Sequence, residues 1–85
     1  MRIVMAGDSI ALLDTLHALQ VTDTSLSIVG QVHNEGELFR VARTERPEVI
    51  VVDSELRLRF TTDWAAYLSE ISGGARVIVV YAPHG

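Results

Sequence analysis

The run Val49-Ile50-Val51-Val52-Asp53 decides the fold. Four consecutive β-branched apolar residues end in a carboxylate. A strand covered on both faces needs such an unbroken run, because neither alternate set of side chains meets water. The aspartate leaves the core at the strand's C-terminal tip. In open parallel α/β sheets that edge is where ligands bind. Asp53 is therefore the centre to which the rest of the chain is referred.

Outward from this run, three more stretches read as strands: Arg2 to Ala6, Ser27 to Val32 and Val77 to Tyr81. Gly30 lies inside the second of them and marks a bulge or weak point. Helical patterns separate the strands. Leu12, Leu13, Leu16 and Leu19 recur at spacings of three and four, which predicts a helix over about residues 9–20, capped by Asp8 or Ser9. His17 sits among these leucines and reads as a surface-edge histidine, since no second His or Cys stands at a ligand spacing.

Asn34 opens a second helix, with Glu37 placed to reach back to the cap amide. Leu38, Val41 and Ala42 form its buried stripe, with Phe39 beside it. Arg40, Arg43 and Arg46 form a neighbouring stripe, read as a solvated face paired with Glu37 and Glu45. Pro47 ends the helix. Ser54 to Thr62 reads as a charged loop. Thr61 or Thr62 then caps a third helix, with Asp63 in its first turn. Trp64, Tyr67, Leu68 and Ile71 recur at helical spacing and read as core or groove-filling residues. Gly73-Gly74 closes that helix. The order β-α-β-α-β-α-β implies an α/β protein with a parallel sheet, helices on both faces and right-handed crossovers.

Composition bounds the function. Residues 1–85 make one small domain. Without cysteine there is no disulfide, thiolate nucleophile or cysteine-ligated zinc. All seven basic residues are arginine, so lysine Schiff-base chemistry is excluded. A net charge of −4 argues against direct nucleic-acid contact by this segment. No apolar run approaches the ~20 residues that span a bilayer, and the N-terminal run is too short for a signal-peptide core. A soluble, cytoplasmic protein is expected.

With strands one and three adjacent, Asp8 and Asp53 would converge at one sheet edge, with Tyr81 ending strand four. Two carboxylates on loops suit Mg²⁺, which keeps several waters. Glu55 could add an oxygen, directly or through its backbone. An aspartate beside such a metal can act as a nucleophile toward a phosphoryl group. The alternative is plainer: Asp8 caps helix one and Asp53 merely ends a strand.

The segments RIVMAGDS, IVGQVHNEGELFRVARTERPEVIVVDSELR and ARVIVVYA resemble, in order and spacing, the first two-thirds of a receiver domain of two-component response regulators. The likeness is to receivers that precede a helix-turn-helix output domain. It implies a flavodoxin-like three-layer fold lacking the last part of a full receiver. It makes Asp53 the phosphoacceptor position and Asp8 one of the two acidic residues that hold Mg²⁺. Glu55 falls where the family offers a backbone carbonyl to the metal.

The chain also departs from the pattern. Gly7 stands where the first acidic residue belongs. Tyr81 stands at the switch position, where Thr or Ser is usual. The proline-and-glycine loop after the phosphoacceptor and the lysine after strand five are missing. The resemblance thus implies a degenerate receiver that biases dimerisation of a DNA-binding output domain not in this chain. Asp53 phosphorylation is slow or absent, and a sensor histidine kinase is a possible phosphodonor. The chain is expected to be part of a longer regulator and to self-associate through its exposed fourth strand. The rival readings are a Mg²⁺-dependent phosphotransferase or phosphatase of the haloacid-dehalogenase type, echoed by Asp53-Ser54-Glu55, and a small nucleotide- or flavin-binding module. No glycine-rich phosphate loop supports the last.

Overall fold

The computed structural model describes residues 1–54, 56 and 64–81. Seven elements follow one another: β1 (Arg2–Ala6), α1 (Ile10–Thr22), β2 (Ser27–Val32), α2 (Glu35–Glu45), β3 (Val49–Asp53), α3 (Trp64–Ile71) and β4 (Arg76–Val80). This is the alternation read from the sequence, with α1 two residues longer at its end and β4 one residue earlier. The expected caps of the third helix (Thr61 or Thr62), its expected first-turn Asp63, most of the preceding loop, and Glu55 lie outside the described residues.

All pairings are parallel and the strand order is β2-β1-β3-β4. The two central strands, β1 and β3, are the two most buried, as their place between neighbours on both sides requires. Ile3 to Ala6 lie opposite Val49 to Val52, and Asp53 lies opposite Val80. Glu48 fixes this register from below. Its amide donates to the Arg2 carbonyl and its carbonyl accepts from the Arg76 amide, both at 2.9 Å. The β1–β2 pairing slips between Ile3, opposite Ile28, and Val4, opposite Gly30. That is the irregularity Gly30 marked, and Val41 of α2 crosses directly over it.

Alternation along each strand divides the core in two. Val4, Ala6, Ile50 and Val52 face α2 and α3 and join Leu38, Phe39, Ala42 and Leu68 in one buried cluster. Ile3, Met5 and Val51 are buried on the opposite face, where α1 contributes Leu16. The leucine stripe of α1 is less buried than its spacing predicts. Leu16 is buried, Leu12 and Leu13 are half-buried, and Leu19, Ile10 and Val21 are exposed. The physical reason is that, among the described residues, no second helix shares that face, so the flanks of α1 meet water.

Local chemistry sets the helix ends. Ser9 caps α1 by accepting from the Leu12 amide at 3.2 Å. Asn34 caps α2 by accepting from the Glu37 amide at 2.9 Å. Glu37 reaches one residue further back than a capping box would place it: its carboxylate accepts from the His33 amide and from the Asn34 side-chain amide. The arginine stripe also departs from the expected pairing. Arg43 donates to the Tyr67 hydroxyl, and Glu45 pairs with Arg2. Arg46 takes a left-handed conformation as the C-cap of α2, and its guanidinium lies against Gly73. Pro47 follows and cannot continue the helix. After α3, Gly73 and Gly74 both have positive φ, and the Gly74 amide donates to the Ser69 carbonyl at 2.7 Å.

Candidate functional site

The site is built at the C-terminal tips of the parallel strands. The β3 run carries Asp53 to that edge, where it is only 4% exposed. The chain then turns at once. The Ser54 amide extends the ladder to the Val80 carbonyl at 2.9 Å, and the Leu56 amide donates to the Asp53 carbonyl at 2.9 Å. Asp53 is thus held by strand pairing on one side and by a tight turn on the other. A carboxylate taken this far from water is costly unless it is partnered, and Asp53 is engaged rather than free.

Two clefts flank it. One, of about 230 Å³, lies on the α1 face between Ser9, Ala11, Leu12, Thr15, Val80 and Tyr81. The other, of about 240 Å³, lies on the α3 face between Val52, Ser54, Leu56, Trp64, Val79 and Tyr81. Asp53 and Tyr81 border both, because each sits where a strand ends. The hydroxyls on the α1 side are already committed to the helix: Ser9 caps it and Thr15 donates to the Ala11 carbonyl at 2.8 Å. That cleft is mostly apolar.

Gly7 packs directly against the Asp53 side chain. Its φ is +126°, and a Cβ added to it would fall closer than 3.0 Å to the Asp53 Cβ and 3.2 Å from Cγ and Oδ2. Its amide donates to the Val32 carbonyl at 2.9 Å, which fastens the turn to β2. The place expected for a first acidic residue is therefore occupied by backbone. Asp8 is not gathered in. Its side chain is 78% exposed and pairs with Nδ1 of His33, just beyond the tip of β2. Sequence reasoning missed His33. The available signal was that it directly follows β2, as Gly7-Asp8 directly follows the neighbouring β1. Tyr81 lies past β4 and is 78% exposed. Glu55 falls outside the described residues.

Of the expected Mg²⁺ set of Asp8, Asp53 and Glu55, the described residues do not bring Asp8 and Asp53 into one metal-holding group, and Glu55 is not among them. Backbone fills the space beside Asp53, Asp8 is turned to His33, and among the described residues no three His, Asp or Glu side chains form a metal-holding group. What remains is one buried carboxylate, a phenol nearby and two small clefts.

Neither a protein-family model nor a curated protein matches the sequence. Solved structures do. The signal receiver domain of NarL from Mycobacterium tuberculosis superposes with a TM-score of 0.74 at 17% identity, over 99% of this chain and 68% of that one. The isolated REC domain of RcsB from Salmonella enterica serovar Typhimurium, in the presence of the phosphomimetic BeF3⁻, gives 0.75 at 15% identity, over 100% of this chain and 64% of that one. The chain has a receiver fold. It spans about two thirds of each of those receivers. The four-stranded parallel sheet with helices on both faces is thus the flavodoxin-like receiver architecture, and Asp53 ends the third strand of it.

Proposed function

We propose that the chain is the receiver part of a response regulator in which Asp53 keeps the phosphoacceptor position while phosphoryl transfer to it is slow or absent. The observation that carries this reading is the contact between Gly7 and Asp53. In the receiver pattern an acidic pair stands beside the acceptor, and here backbone stands there instead. Two further features point the same way. Asp8 is drawn off to His33. Tyr81, at the switch position, carries its oxygen at the far end of a ring, too distant from the backbone to close on a phosphoryl group as a Ser or Thr hydroxyl would.

On this reading the domain signals mainly by association. It biases dimerisation of an output domain not present in this chain, and that output domain, not this acidic segment, meets DNA. Where phosphorylation occurs at all, a sensor histidine kinase is the donor class. No helix among the described residues is long and apolar enough to cross a membrane, which accords with action in the cytoplasm.

The test is incubation with Mg²⁺ and acetyl phosphate followed by intact-mass measurement. The expected result is little or no phosphate addition. Stoichiometric addition of one phosphate, lost in Asp53→Ala, would overturn the proposed impairment.

A further inference from the structure

We propose that Gly7 closes the site: lacking a side chain, it lets the β1–α1 turn sit against Asp53 and takes the carboxylate out of reach of phosphodonors and divalent cations alike. The inference takes its meaning from the receiver reading, but the closure itself is a property of the turn and can be measured apart from it.

Real Cβ atoms essentially never approach one another as closely as a residue 7 Cβ would approach that of Asp53. One side of the contact would have to move. Asp53 cannot readily do so, since it is paired with Val80 in the sheet and the turn that follows it is bonded. The turn would have to lift. The other positive-φ glycines differ. A Cβ at Gly73 meets the end of the Arg46 guanidinium, which can swing away, and a Cβ at Gly74 meets nothing within 4 Å. Of these three glycines, Gly7 alone is held against the fixed atoms of a strand.

It follows that the missing acidic residue and the buried acceptor are one feature. Gly7→Asp would not add a ligand to the present arrangement, because any side chain at position 7 must first displace the turn that covers Asp53.

The experiment is labelling with a water-soluble carbodiimide and a small amine, read residue by residue by peptide mass spectrometry. In the unaltered chain Asp53 should label at least about tenfold more slowly than exposed Asp14, and in Gly7→Ala its labelling should rise severalfold. Thermal unfolding provides the second arm. Gly7→Ala should lower Tm by about 10 °C or more, from the positive φ and the clash together. Asp53→Gly removes the opposing Cβ, so the same Gly7→Ala change should cost clearly less in that background. In Asp53→Ala, where the Cβ remains, the cost should stay whole.

Fast labelling of Asp53 in the unaltered chain would overturn the closure, as would unchanged labelling in a folded Gly7→Ala. An equal Tm loss in all three backgrounds would do the same, and so would failure of the Gly7→Ala, Asp53→Gly pair to fold. If acetyl phosphate leaves the chain unmodified while Asp53 labels freely, the functional reading stands and the closure falls. Efficient phosphorylation of Asp53 would overturn both.

Discussion

Arg43 of α2 donates to the hydroxyl of Tyr67 of α3 at 2.8 Å, and the Tyr67 ring meets Phe39 edge-on with centroids 5.4 Å apart. One aromatic residue thus joins two helices by a polar tip and an apolar body. The arginine that the sequence assigned to a solvated stripe ties α2 to α3.

Tyr67→Phe keeps the ring and loses the hydroxyl, so it should cost only about 0.5 kcal/mol at this half-exposed position. Tyr67→Ala also loses the edge-to-face contact and should cost ~2 kcal/mol. A double-mutant cycle between Arg43→Ala and Tyr67→Phe isolates the bond itself. Urea denaturation at constant m-value measures all three, and a Phe variant as damaging as the Ala variant would show that the hydroxyl, not the ring, matters.

Asp23 gives the acid limb a local test. Its carboxylate accepts from the Ser25 hydroxyl at 2.6 Å and the Ser25 amide at 3.0 Å, and these bonds lower its pKa from 3.8. A depressed carboxylate contributes stability above its unfolded pKa and loses that contribution as pH falls through the folded value. The contribution should therefore be complete at neutral pH and fade below about pH 4. Carbon-detected NMR titration should find Asp23 below the ordinary aspartate value, and Ser25→Ala should move it back up. A titration that Ser25→Ala leaves unmoved would refute the assignment of cause.

Self-association should run through β4. That strand ends the sheet, pairs with β3 without slippage, and carries half-exposed Ile78 beside exposed Tyr81. A regular apolar edge is a template for another strand, and a charge on it blocks pairing. Sedimentation of this chain at high micromolar concentration should show a dimer. Ile78→Lys should shift it to monomer with its far-UV spectrum retained. A stable monomer before substitution would end this idea.

Much of the architecture was legible because its signals are local. Val49 to Val52 could only be a strand covered on both faces. Asn34, Pro47 and the Gly73-Gly74 pair marked helix ends by the chemistry of unpaired backbone groups. The candidate site was less legible because its decisive features are not local. Nothing near position 7 in sequence says that its missing Cβ lies against Asp53, forty-six positions away. The pairing of Asp8 with His33, rather than any convergence on Asp53, depends on which strand lies beside β1. Spacing likewise overstated the burial of α1. Leucines at three and four mark one face of a helix, but how much of that face is covered depends on neighbours in space.

The slip in the β1–β2 pairing makes the two sides of the sheet unlike. A sheet with two regular open sides can add copies head to tail without end, whereas one with a single such side can only meet its own twin about a twofold axis and stop. A bulge increases local twist and bends the strand that carries it, which spoils β2 as a template. If copies pair through β4 as predicted, the irregularity at Gly30 acts as a counter: it limits growth of the sheet to two copies and separates a discrete pair from a fibre.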